Sequence, residues 1–175
     1  MTAYVVLVLA VGVERVVELV VAKRNLAWAM ARGGRETGFG HYPVMVVLHT
    51  GLLIGALVEV LALHRQILPA LAVPMVVLVL AAQALRWWCI RTLGRQWNTR
   101  VVVVPGLALI TGGPYRRLRH PNYVAVVVEG FALPLAGSAW VTAAVFTVAN
   151  AALLWVRLRT EERALSTVAG RAVGA

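Results

Sequence analysis

"GPYRRLRHPNYVAVVVEG", residues 113–130, sets three arginines and a histidine directly before an apolar run that itself contains Glu129. What surrounds the stretch decides its meaning. Over 175 residues the chain is 61% hydrophobic, with a mean hydropathy of +0.80 and only 14% charged residues. A soluble domain of this length could not hide so much apolar surface, so a polytopic membrane protein is expected. The basic cluster then reads as the edge of a membrane span.

Five apolar stretches stand out, at roughly 3–22, 43–63, 67–90, 123–137 and 139–156. The first three approach the ~20 residues that cross a bilayer core. The last two are shorter and meet at "PLAGSAW", which reads as the turn of a compact helical hairpin. The fold class expected is all-α, with five transmembrane helices, a cytoplasmic segment and a C-terminal helix. One domain covers 1–175, as a three-helix part at 1–90 and a part at 91–175 that ends in the short hairpin. The first stretch lacks a small-residue cleavage site and reads as a retained span.

Net charge is +10, from sixteen arginines and one lysine against seven glutamates. The basic residues fall between apolar stretches, which suits loops facing anionic lipid and not nucleic acid. Loop 23–42 holds Lys23, Arg24, Arg32 and Arg35, segment 91–122 holds six arginines, and the tail after 156 holds four. The connection near 64–66 holds only Arg65. The positive-inside rule therefore puts the N-terminus outside and the C-terminus in the cytoplasm of a bacterial cell. Trp87, Trp88, Trp140 and Trp155 fit interfacial belts. Segment 91–122, with Val101–Val104 followed by Pro105-Gly106 and Gly112-Gly113-Pro114, is too short to span. It is expected at the cytoplasmic surface as an irregular or hairpin segment.

Polar residues interrupt the spans. Glu14, Glu18 and Asn25 share a face of the first helix at the 3.6-residue period, His49 and Glu59 lie in the second, Gln83 and Arg86 in the third, and Glu129 in the fourth. Charges at membrane depth cost about 2.5–3.5 kcal/mol each, so they should face the bundle interior. Two readings follow: interhelical pairing, such as Glu14 or Arg15 with Arg86, or a polar pocket. No metal site is expected. The four histidines have no HxxH or HxxxH spacing, and Cys89 is alone.

"GPYRRLRHPNY", an apolar hairpin and then "VRLRTEERAL" resemble the isoprenylcysteine carboxyl methyltransferase family. Gly113, Tyr115, Arg119, His120, Pro121 and Tyr123 match the family's first motif. Arg157, Glu161, Glu162 and Leu165 match its second, and "LGRQWNTRV" supplies Gly94, Trp97 and Asn98 upstream. The N-terminal half, "KRNLAWAMARGGRETGFGHYPVMVVLHTGLL", is similar to the short bacterial branch found beside type III polyketide synthases. The resemblance implies S-adenosylmethionine as cofactor and a lipophilic acceptor. That acceptor would present the carboxylate of an isoprenylcysteine-like compound or the hydroxyl of an alkylpyrone or phenolic lipid. It also implies a functional link to such a synthase.

On that resemblance the cofactor would be held by Trp97, Gly113, Tyr115, Arg119, His120, Pro121, Tyr123, Glu161 and Glu162. His120 would cap a helix with Pro121 at its first position, where a missing N–H costs nothing. Free backbone donors there, with Arg119, suit a carboxylate. Arg157 is the residue to orient the reacting oxygen. Glu129 or Glu59 could act as base if burial raised its pKa. Glu129 is taken with Arg157 as catalytic, and Asn98, Glu59 and Glu18 as substrate-binding. Two other readings stay open: an NADPH-dependent reductase on the sterol-reductase scaffold, and a small transporter or scaffold. Topology gives the first test. Reporter fusions at residues 64–66 should read as external and fusions after Ala175 as cytoplasmic; the reverse would separate His120 and Glu161 from a cytosolic cofactor.

Overall fold

A computed structural model describes residues 1–38 and 40–173, with side chains through residue 164. Five helices dominate the described residues: α1 (Thr2–Met30), α2 (His41–Ala62), α3 (Pro69–Leu93), α4 (Pro121–Ala136) and α5 (Trp140–Val173). They agree closely with the five apolar stretches. Two run well past them, because α1 and α5 continue as polar helices beyond their apolar parts. The extension of α5 matters most. At 34 residues it is about 50 Å long, against a hydrocarbon core of about 30 Å. One helix therefore carries Trp140 at its start and the Arg157–Glu162 motif beyond its apolar part.

Among the described residues, three helices are long and apolar enough to cross a membrane: α2, the α3 region Pro69–Gln96, and Trp140–Ala164 of α5. α1 is long enough but carries Glu14, Arg15 and Glu18. α4 has only 16 residues, about 24 Å. Its shortness is compatible with its position. Ala125, Glu129, Gly130, Ala132, Leu133, Pro134 and Ala136 are buried, so α4 is the central helix and meets α2, α3 and α5 rather than lipid on all sides. Small residues permit the close approach. A Cβ on Gly130 would lie 2.2 Å from the Phe146 ring of α5. At the α4–α5 turn, a Cβ on Gly137 would lie 2.3 Å from the Tyr4 ring of α1.

A two-stranded ribbon adds to the all-helical expectation. β1 (Arg35–Thr37) pairs antiparallel with β2 (Val101–Val103), in the register Arg35 with Val103 and Thr37 with Val101. Segment 91–122 therefore pairs with the α1–α2 connection and not within itself. Arg100 secures the ribbon by bonding Glu36 at 2.9 Å and lying 4.2 Å over the Tyr42 ring. Trp87 also departs from expectation. Its indole N–H donates to Glu14 instead of facing the interface, whereas Trp88, Trp140 and Trp155 are exposed.

The polar residues of α1, α3 and α4 close into a ring of charges. Arg15 bonds both Glu18 and Glu129, and Arg86 lies 2.7 Å from Glu129 and 3.3 Å from Glu18. Glu18, Arg86 and Glu129 are buried. The interhelical pairing takes the form of Arg15 and Arg86 sharing two carboxylates rather than facing each other, so the ring is neutral. Removing one carboxylate leaves an uncompensated buried cation, which costs about 3–5 kcal/mol. Glu129→Leu alone and Arg86→Met alone should both lower thermal stability in detergent. The double variant keeps the neutral Arg15–Glu18 pair and should recover most of the loss. An equal or additive loss in the double variant would show that charge balance is not what the ring supplies.

Candidate functional site

α3 ends at Gly94, whose φ of +52° is open to glycine at little cost. A 3₁₀ turn over Gly94–Gln96 then leads into an extended Trp97. Asn25 of α1 fixes this corner by donating to the Gly94 carbonyl at 3.1 Å and the Trp97 carbonyl at 2.7 Å. Asn98 accepts from the Arg100 N–H at 3.1 Å, a short-range turn bond. Trp97 is thereby wedged beside Ala22 and Ile90, only 3% exposed.

A second 3₁₀ turn, Gly113–Arg116, brings the opening motif back against α3. Gly113 has a φ of +57°, and a Cβ there would lie 2.5 Å from the Thr92 hydroxyl. The turn sets Tyr115 beside Cys89. Burial, with the thiol's help, pushes the Tyr115 phenol upward, so it remains a neutral hydrogen-bonding group. His120 then occupies the N-cap of α4, but its imidazole makes no capping bond. It stacks instead on the Tyr123 ring, with centroids 5.5 Å apart, and its Nδ1 lies 3.8 Å from Glu161. The expected side-chain cap is thus replaced by a contact to α5. The Tyr123 hydroxyl donates to Glu161 as well. Arg157 lies 5.3 Å from the Tyr123 ring centroid and donates to the Thr99 carbonyl at 2.6 Å.

Two cavities flank this assembly. The first, about 130 Å³, lies within the bundle and is mainly apolar; Met45, Leu53, Val126, Leu153 and Leu154 contribute to its wall. The second, about 140 Å³, lies at the polar end between β2, the opening motif and α5. Trp97, Asn122, Tyr123 and Arg157 line both. They form a shared wall. Three polar atoms in it are buried without a hydrogen-bond partner: Trp97 Nε1, Asn122 Oδ1 and Arg157 Nε.

The expected site residues separate by this geometry. Trp97, Tyr115, Arg119, His120, Pro121, Tyr123 and Glu161 all line the second cavity. Asn98 joins them there, on the opposite side of the wall from the acceptor position expected for it. Glu18 lines the first cavity. Gly113 lines neither and works through backbone conformation and close packing. Glu162 is exposed and outside both. Glu129 lies in the charge ring, its oxygens engaged by Arg15 and Arg86, which makes it a poor base. Glu59 is at the far end of the bundle. It accepts from Val141 N–H at 3.2 Å and Thr142 N–H at 2.7 Å and pairs with Arg65, so it caps α5 and does not reach the site. The side chain of Leu165 is outside the described residues. Sequence reasoning missed Asn122 and Thr99. The first occupies the variable position of R-H-P-x-Y, and the second acts through its backbone carbonyl, so neither carries a side-chain signal.

Comparison with known proteins finds a family match and a relative. A model of the isoprenylcysteine carboxyl methyltransferase (ICMT) family matches residues 75–167, from within α3 into the polar part of α5. A protein of Bacillus subtilis (strain 168), described as uncharacterized protein YpbQ, is 37% identical over 153 residues. That covers 87% of this chain and 90% of that protein.

Proposed function

Since the chain belongs to the isoprenylcysteine carboxyl methyltransferase family and is, at that level, a membrane methyltransferase, we propose that it is an S-adenosylmethionine-dependent O-methyltransferase for a lipophilic acceptor. The acceptor oxygen belongs to the carboxylate of an isoprenylcysteine-like compound or to the hydroxyl of an alkylpyrone or phenolic lipid. The observation that carries the reading is the pair of cavities, one apolar and one polar, meeting at Trp97, Asn122, Tyr123 and Arg157. Such a pair accommodates a lipid-soluble reactant and a water-soluble one that must touch at a single atom.

The second cavity fits that cofactor by its donor set. Arg119 offers a cation for a carboxylate, and Glu161 an anion for an ammonium or for ribose hydroxyls. Tyr115, Tyr123 and Trp97 offer aromatic faces to adenine or to a cationic sulfur. Trp97 Nε1 and Asn122 Oδ1 are buried without partners, a desolvation cost that a polar ligand at the wall would offset. S-adenosylmethionine held there would supply an electrophilic methyl group.

What remains for the protein is position and exclusion of water. Arg157 reaches the shared wall with one amine held by the Thr99 carbonyl and the other by Met45 Sδ, which leaves Nε as the donor for an acceptor oxygen. The Glu161–Tyr123–His120 contacts hold the start of α4 against α5 and keep the wall in register. The ring of Arg15, Glu18, Arg86 and Glu129 borders the inner cavity and stays neutral, so it repels neither a charged nor an uncharged acceptor head. In this reading the polar end faces the cytoplasm, where such a cofactor is found, and the acceptor enters from the bilayer.

Calorimetric titration of S-adenosylmethionine into detergent-purified variants tests the cofactor site. His120→Ala and Tyr123→Ala should each weaken binding roughly ten- to a hundredfold, as expected when a bond to a charged group is lost. Arg117→Ala, exposed and outside both cavities, should be nearly silent. Equal, small changes at all three positions would contradict the assignment.

A further inference from the structure

The methyl-transfer wall leaves polar residues of the inner cavity without a task. His49 of α2 and Asn150 of α5 both line it, deeper in the bundle than Arg157. His49 Nδ1 lies 2.9 Å from the Met45 carbonyl. A carbonyl only accepts, so Nδ1 carries the proton and Nε2 of the neutral ring is left as an acceptor. The ring is held edge-on to Phe146, 5.3 Å between centroids at 87°. Asn150 is four residues on from Phe146, hence on the same face of α5. It is 3% exposed, and its Oδ1 is buried with no hydrogen-bond partner among the described residues.

Asn150 Oδ1, buried without a partner among the described residues, is costly in an apolar cavity unless a ligand brings a donor, and His49 on the same cavity offers a second acceptor. Nothing in the charge ring answers that need, since its guanidinium groups already engage Glu18 and Glu129. Asn150 and Arg157 are seven residues apart on one helix, about 10 Å along its axis. The long Arg157 side chain tilts toward the helix N-terminus and shortens that gap. The geometry points to His49 and Asn150 as a recognition pair for a hydrogen-bond donor on the acceptor head, a hydroxyl or N–H distinct from the oxygen that receives the methyl group. The inference rests on the methyl-transfer reading and adds to it a specificity rule: the preferred acceptor carries a second polar group, and an analogue lacking only that donor is rejected.

Two matched pairs of probes test this with binding as the readout. One pair is an alkylresorcinol and the alkylphenol lacking one hydroxyl. The other is N-acetyl-farnesylcysteine and farnesylthiopropionic acid, which lacks the amide. Quenching of tryptophan fluorescence in detergent, without cofactor, reports affinity, and S-adenosylmethionine binding is measured on the same samples. In the unaltered protein at least one pair should show about a tenfold or greater preference for the donor-bearing member. His49→Phe and Asn150→Leu should each abolish that preference, and His49→Gln, which restores an acceptor, should recover part of it. Which pair discriminates tells a phenolic from an amide source. Equal affinities within both pairs, or a preference that survives His49→Phe and Asn150→Leu, would overturn the inference. Loss of S-adenosylmethionine binding in the unaltered protein would instead overturn the methyl-transfer reading.

Discussion

Four charges at membrane depth have to be neutralised before this bundle can exist. Arg15 and Glu18 on α1, Arg86 on α3 and Glu129 on α4 satisfy one another and tie three helices at one level. Alone, each would cost about 2.5–3.5 kcal/mol in a bilayer. Together they form a neutral unit whose upper surface borders the inner cavity. Glu129 is thus more useful as a partner than as a base, and a carboxylate that sequence alone suggests for catalysis turns out to hold the frame. A second buried carboxylate, Glu59, does the same at the opposite end by capping α5.

The frame explains why the functional motif can be split across the chain. α4 is short and central, so its first turn, with His120, Asn122 and Tyr123, opens at the level where the polar end begins. α5 is long enough to cross and still carry Arg157 and Glu161 past that level. Tyr123 joins the two through Glu161 on one side and Arg157 on the other. Trp97 reaches the same place because Asn25 of α1 grips the corner that follows α3. Three separate constraints converge on one wall between an apolar and a polar space.

Much of this was legible in the residues. The five helices follow from apolar length, and the hairpin turn follows from Gly137 and its small neighbours. The opening motif and the Arg157–Glu161 motif were readable as partners only through the family resemblance, since Tyr123 and Glu161, neighbours in space, lie 38 positions apart in a largely hydrophobic sequence. Other features had no local signal. β1 is "RET", three residues with two charges, too short to signal a strand, and it pairs with Val101–Val103 opposite. Trp87 resembles an interfacial anchor until Glu14 is seen beside it. Asn150 is a single amide in an apolar helix, and only the cavity shows that its oxygen lacks a partner.

The central claim is that a polar cofactor and a lipid-borne acceptor meet across Trp97, Asn122, Tyr123 and Arg157. Its most direct test supplies the purified protein in nanodiscs with methyl-labelled S-adenosylmethionine and a lipid extract from its host. The account predicts that label enters an organic-soluble product, and that Arg157→Lys slows the transfer while leaving cofactor binding intact. Label confined to the aqueous phase, with NADPH oxidised by the same preparation, would contradict it.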